Sequence, residues 1–191
     1  MEIIKKINWI DIFVVILLFR IGYVSINSGL IPEIFKLSGT ILAIYVSLHY
    51  YTAFVGLLAK APIVKNILPL KFLDFLSFVI LAILAYFIFA LLRKGFSRIF
   101  KIEAVPGLKY WGGFVLGIIR AFFLCGLIVF MLVISGTGYL KNSVRNSYSG
   151  KYLIRIAPKT YGSLWYGLFS KFMTGEEFNR VVLEAQENLI Q

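Results

Sequence analysis

The chain has 191 residues, of which 60% are hydrophobic and 15% charged, and its mean hydropathy is +0.86. A soluble globular domain carries about 25% charged residues, so this composition excludes that class and places the chain in a membrane. The net charge of +11, from 20 Lys and Arg against 9 Asp and Glu, would suggest nucleic acid in a soluble protein. Here the bases flank apolar runs, so the expected partner is the lipid bilayer with its anionic headgroups, and nucleic acid is not expected.

A hydrocarbon core of roughly 30 Å takes about 20 apolar residues per spanning helix. Four runs qualify, at residues 7–26, 34–58, 72–92 and 111–134. The predicted fold is therefore all-α: a polytopic membrane protein with a four-helix transmembrane bundle over residues 1–136 and a C-terminal amphipathic helical tail over 137–191. The first run follows Lys5 and Lys6 as a signal peptide would, but no small-x-small cleavage pattern follows and Arg20 interrupts it, so it reads as a retained helix. "NSGLIP" links it to the second span, with Pro32 opening the new helix, Asn27 or Ser28 as its cap and Glu33 in the positive field of its first turn.

The second span carries a stripe of small residues, Gly39, Ala43 and Ser47, and ends near His49, the only histidine, read as an interfacial residue. Pro62 and Pro69 bracket the next connection. The third span, "FLDFLSFVILAILAYFIFALL", has Asp74 near its start and is followed by Arg93 and Lys94. Val105-Pro106-Gly107 is a turn signal before the fourth. Tyr50, Tyr51 and Trp111 fall near helix ends, where amphipathic rings favour the interface.

In the fourth span Gly113, Gly117, Ala121 and Cys125 recur every four positions, a pattern that lets a second backbone approach closely in lipid. At 100° per residue Arg120 lies about 20° from Gly113 and about 60° from Gly117. An arginine at mid-span costs at least about 2.5 kcal/mol on an isolated helix, so it should point inward with the glycines. The second span, with its own small stripe, is the expected neighbour. Helical side chains slant toward the N-terminus, which carries Arg120 toward the end where Glu33 lies and makes Glu33 its expected partner, with Arg20 competing. Asp11 and Asp74 should sit together near the opposite surface. These charges either fix helix register, or Arg20, Glu33 and Arg120 line a polar pathway or ligand site. Cys125 reads as a small packing residue, and one cysteine permits neither an internal disulfide nor a cysteine metal site.

From Thr137 the chain turns polar. Tyr161, Leu164, Trp165, Leu168, Phe169 and Phe172 recur at helical spacing with Lys159 and Lys171 at the ends, which describes an aromatic amphipathic helix. It is expected on the membrane surface, with docking under the bundle or on a partner as the alternative. Thr174 and Glu177 form a capping box before a second stripe of Phe178, Val181, Val182, Ala185 and Leu189.

Three elements in order carry a family resemblance: "NWID" at the start of the first helix, Gly29 to Glu33 within "GLIPEIFKLSG", and "GFVLGIIRA" in the fourth helix. On these the chain resembles the CvpA family, the colicin V production proteins of bacterial inner membranes, over nearly all of the four spans. It departs from the family in its first loop, where a tight Arg-Gly-x-x-Arg-Gly turn is replaced by "RIGYVSINSG". The resemblance implies a multi-pass inner-membrane protein acting in peptide toxin production or export and in envelope homeostasis, with envelope or export proteins as partners and homo-oligomerisation left open. It also favours both termini outside the cytoplasm. The basic residues do not choose a side: Lys5, Lys6, Lys60, Lys65 and Lys71 on one face are balanced by Arg93, Lys94, Arg98, Lys101 and Lys109 on the other. No zinc-protease, aspartyl or serine-hydrolase signature occurs and no phosphate-binding loop, so neither an enzyme nor a cofactor is expected, and no metal. A channel or transporter subunit built around Arg20, Glu33 and Arg120 is the alternative.

Overall fold

A computed structural model describes residues 8–60, 69–99 and 106–190, with no strand among them. Lys5, Lys6, Pro62, Lys65, Lys101 and Val105, on which some of the sequence expectations rest, lie outside these residues. Four long helices dominate: α1 (Trp9–Ser28), α2 (Leu30–Leu58), α3 (Leu70–Ile99) and α4 (Pro106–Ile134). Each is long and apolar enough to cross a membrane.

α1 starts where Asn8 caps it and the Asp11 carboxylate reaches back to the Asn8 N–H at 3.2 Å, a reciprocal capping box. Its end differs from expectation. Asn27 and Ser28 stay inside α1, and a single residue, Gly29, turns the chain directly into α2. Gly29 has φ +84°, a conformation in which any L side chain is strained, and its N–H caps Ser25 O at 3.3 Å. Pro32 falls in the first turn of α2, where a missing N–H costs nothing.

The helices do not pack in chain order. α1 lies against α4, α4 against α2, and α2 makes its most extensive contact with α3, while α1 and α2 scarcely touch. The glycine stripe of α4 explains the first pairing, and it corrects the expectation that this stripe meets α2. A methyl group at Gly117 would sit 2.1 Å from Ser25 Oγ, and one at Gly113 would sit 2.7 Å from the Ser25 carbonyl oxygen. Only glycine lets α1 come this close. The stripe on α2 faces elsewhere as well, because a methyl at Gly39 would lie 2.9 Å from Phe89 Cβ on α3. Ala43, Ser47, Ala121 and Cys125 are all buried.

After α4 the tail forms α5 (Gly138–Asn146), α6 (Tyr148–Leu153), α7 (Ile156–Gly167), a 3-10 turn at Phe169–Lys171 and α8 (Val181–Ile190). These helices fold against the bundle end that holds Asn8, and one apolar core runs through Phe78, Phe130, Val144, Ile154, Tyr161 and Val182. The aromatic helix expected on the membrane surface is thus split by its docking. Tyr161 and Trp165 are buried against the bundle, and Phe172, beyond the helix, is 77% exposed. Thr174 and Glu177 cap nothing: α8 begins only at Val181, and Phe178 instead stacks on Tyr161 with ring centres 4.8 Å apart.

Candidate functional site

Glu33, in the first turn of α2, is completely buried, and both of its oxygens are engaged. Arg120 Nε donates to Oε2 at 2.9 Å, and Lys36 Nζ donates to Oε1 at 2.5 Å. The second arginine arm reaches Ser25 Oγ with Nη2 at 3.4 Å, and Lys36 also donates to Ser28 Oγ at 2.8 Å. Each group owes its place to the helix that carries it. Gly29 sets the start of α2 beside the end of α1, so Ser25, Ser28 and Glu33 converge. Lys36 follows Glu33 by three positions, which puts it on the same face. Arg120 slants back along α4 toward this end, as side-chain direction on a helix requires.

The cluster is one carboxylate shared by two cations, with Glu33 and Arg120 shielded from solvent. Of the three residues singled out from sequence, the structure brings Glu33 and Arg120 together and leaves Arg20 apart. Arg20 lies on the exposed face of α1. Five residues separate it from Ser25, about 140° around the helix, so it cannot point where Ser25 points. Lys36, Ser25 and Ser28 are participants that the sequence reading passed over; the spacing of Lys36 from Glu33 was the available signal.

A second polar cluster joins the tail to α2. His49 is buried, and it is not the interfacial residue expected from its place near the helix end. Its Nε2 meets Glu176 Oε2 at 2.5 Å and its Nδ1 meets Tyr161 Oη at 2.8 Å. A carboxylate only accepts, so Nε2 donates to Glu176, and Nδ1 shares the second hydrogen bond with the tyrosine hydroxyl. Tyr161 Oη in turn accepts the Asn179 N–H at 2.9 Å, and Trp165 stacks on the imidazole at 4.9 Å. Burial pushes the Tyr161 phenol up to about 12. The hydrogen bond from His49, ahead of the one from Tyr50, holds the Glu176 carboxyl below its ordinary range.

Asp11 and Asp74 do not share a site. Asp11 receives Ser147 Oγ at 2.8 Å, Ser149 Oγ at 2.6 Å and the Ser149 N–H at 2.7 Å, and so fastens α6 to α1. Asp74 makes no hydrogen bond or ion pair among the described residues, and no group of His, Cys, Asp and Glu there could hold a metal ion.

The family model described as Colicin V production protein matches residues 10–158. The chain belongs to the Colicin V production protein family. The match takes in all four spans, Glu33, Lys36 and Arg120, and the serines that hold Asp11, and it ends before Tyr161 and Glu176. Comparison with curated proteins and with solved structures found no match. The chain is thus a multi-pass membrane protein of the Colicin V production family.

Proposed function

We propose that this protein is a non-enzymatic component of the bacterial inner membrane that acts in the production or export of colicin V type peptide toxins and in envelope homeostasis. The observation that carries this reading is the family match across every span. Within it, the Glu33 cluster serves as the lock that sets helix register. Glu33 is completely buried, with one oxygen accepting from Arg120 and the other from Lys36, so a passing solute has no open approach to the carboxylate. The partners are lipid headgroups and envelope or export proteins, and both termini lie outside the cytoplasm.

A transport reading has one supporting observation: Lys36 also lines a cavity of about 40 Å³ with Phe35, Tyr86, Phe89 and Arg93, at the edge of the buried pair. One experiment separates the two. A deletion strain carrying a colicin V determinant is assayed for secreted and cell-retained toxin, and complemented with wild type, Glu33→Gln and Arg120→Leu. Reduced secreted toxin in the deletion is expected, restored by variants in proportion to their membrane abundance. Unchanged toxin output in the deletion would overturn the production role, and a variant of normal abundance that fails to complement would favour the transport reading.

A further inference from the structure

The Glu33 cluster holds two cations, Arg120 and Lys36, against one carboxylate, which leaves one positive charge in excess. Lys36 donates to Glu33 and to Ser28, and its third N–H has no partner among the described residues. With Arg93 it lines a cavity of about 40 Å³ between α2 and α3, whose remaining walls are Phe35, Tyr86, Phe89 and Ala90. Helix register brings the two cations together. Gly39 lies against Phe89, since a methyl group on it would sit 2.9 Å from Phe89 Cβ. Three residues back along α2 and three onward along the antiparallel α3, Lys36 comes level with Leu92, beside Arg93. Tyr86, Phe89, Ala90 and Arg93 follow one another at helical spacing, so they form a single face of α3.

Depth and size select the anion that such a cavity takes. α2 has 29 residues and α3 has 30, so each is about 43 Å or more long against a hydrocarbon core of roughly 30 Å. Lys36 is six residues from the start of α2 and Arg93 six from the end of α3, about 9 Å in from the same face. An evenly shared overhang takes about 6 Å of that, which leaves both heads within reach of the boundary between acyl chains and headgroups. The seam faces lipid, because Tyr86, Leu91 and Leu92 beside it are exposed. A water needs roughly 10–15 Å³ of such space, so the cavity admits the two unesterified oxygens of a phosphodiester while the rest of the headgroup stays outside.

We propose that the cavity between α2 and α3 is a phosphate site filled by an anionic phospholipid, with Lys36 and Arg93 holding the phosphate oxygens. Ile83 and Phe87, both exposed, continue the Ala90 side of α3 toward mid-membrane and give the acyl chains an apolar surface. Bound there, the lipid offsets the surplus charge of the Glu33 cluster and ties α3 to α2 at that end. The site makes specific the headgroup partnership proposed above, and its assay reads lipid and not toxin, so either can fail alone.

The test reconstitutes the full chain in equal amounts of phosphatidylglycerol and phosphatidylcholine with matched acyl chains, extracts it in mild detergent, and counts the retained lipid by mass spectrometry. Phosphatidylglycerol should be retained about tenfold over phosphatidylcholine, whose choline cation would meet the two bases. Arg93→Leu should reduce that preference about fivefold, and Arg93→Lys should keep most of it. Ala90→Phe, which fills the cavity without changing charge, should abolish it. Lys94→Leu removes an equal charge at the same depth but outside the cavity lining, and should leave the preference within about twofold of wild type. Circular dichroism checks the fold, and Lys36 stays in every variant so that the Glu33 cluster keeps both cations. Equal retention of the two lipids, or a preference that persists in Ala90→Phe, would overturn the proposal. So would equal losses in Lys94→Leu and Arg93→Leu, which would make the effect one of diffuse surface charge, and so would displacement of phosphatidylglycerol by millimolar inorganic phosphate, which would make a water-borne anion the occupant.

Discussion

Removing one side of the Glu33 cluster tests how the bundle is held, because the three charges make unequal predictions. At an effective dielectric of about 20, unit charges with centres about 4 Å apart attract by roughly 4 kcal/mol, and Glu33 has a cation on each oxygen, with N···O distances of 2.5 and 2.9 Å. Arg120→Leu removes one and leaves Lys36 to neutralise the carboxylate. Glu33→Gln removes both and leaves two cations facing each other across a neutral amide. Breaking a buried pair costs about 3–5 kcal/mol, so Arg120→Leu should fall near the low end of that range and Glu33→Gln near the high end. The double variant should lose much less than the sum, since Lys36 alone is 15% exposed and keeps Ser28, giving a coupling of about 2 kcal/mol or more. Unfolding by SDS in mixed micelles, followed by fluorescence of Trp9, Trp111 and Trp165, measures each corner of the cycle. Additivity within about 0.5 kcal/mol, or a smaller loss for Glu33→Gln than for Arg120→Leu, would refute the shared-carboxylate account.

Gly117→Ala should destabilise the bundle by about 1–3 kcal/mol through the Ser25 side chain, and Ser25→Gly should restore part of that loss because the nearest remaining atom, Ile21 O, would be 3.7 Å away; Gly113→Ala, which meets backbone, should resist any such rescue, and thermal melts in detergent compare the three. Asp11→Asn should cost about 1–3 kcal/mol and expose α6 to protease, since one carboxylate satisfies both Ser147 and Ser149; unchanged cleavage would refute the clasp. The tail clasp on α2 should also depend on pH. Glu176 is lowered from 4.5 in the docked tail, so its contribution is present above about 4.5 and is lost as pH falls through the lowered value. Hydrogen-exchange protection in α7, after correction for the pH dependence of intrinsic exchange, should therefore fall on acidification in wild type and change less in Glu176→Gln. Reporter fusions after Lys6 and after Lys141 should report the same compartment, because an even number of spans returns the chain to its starting side.

Membrane residence and four spans were legible in the sequence because the bilayer imposes a length and a polarity that composition meets directly. The Glu33 to Arg120 pair was legible for a related reason: a buried charge in lipid needs a partner, helix direction fixes which end each side chain leans toward, and few carboxylates were available. The order in which the helices pack was not legible. A stripe such as Gly113 and Gly117 states that some backbone comes close, but only the Ser25 face of α1, brought into place by the turn at Gly29, decides whose. The tail shows the same limit. An aromatic stripe at helical spacing satisfies lipid and protein alike, and burial beneath α2 was decided by polar groups far apart in the chain, with His49 meeting Tyr161 and Glu176, and Asn179 donating to Leu48 O. Periodicity encodes which face is apolar; what covers that face depends on contacts between residues more than a hundred positions apart, and those exist only once the chain has folded.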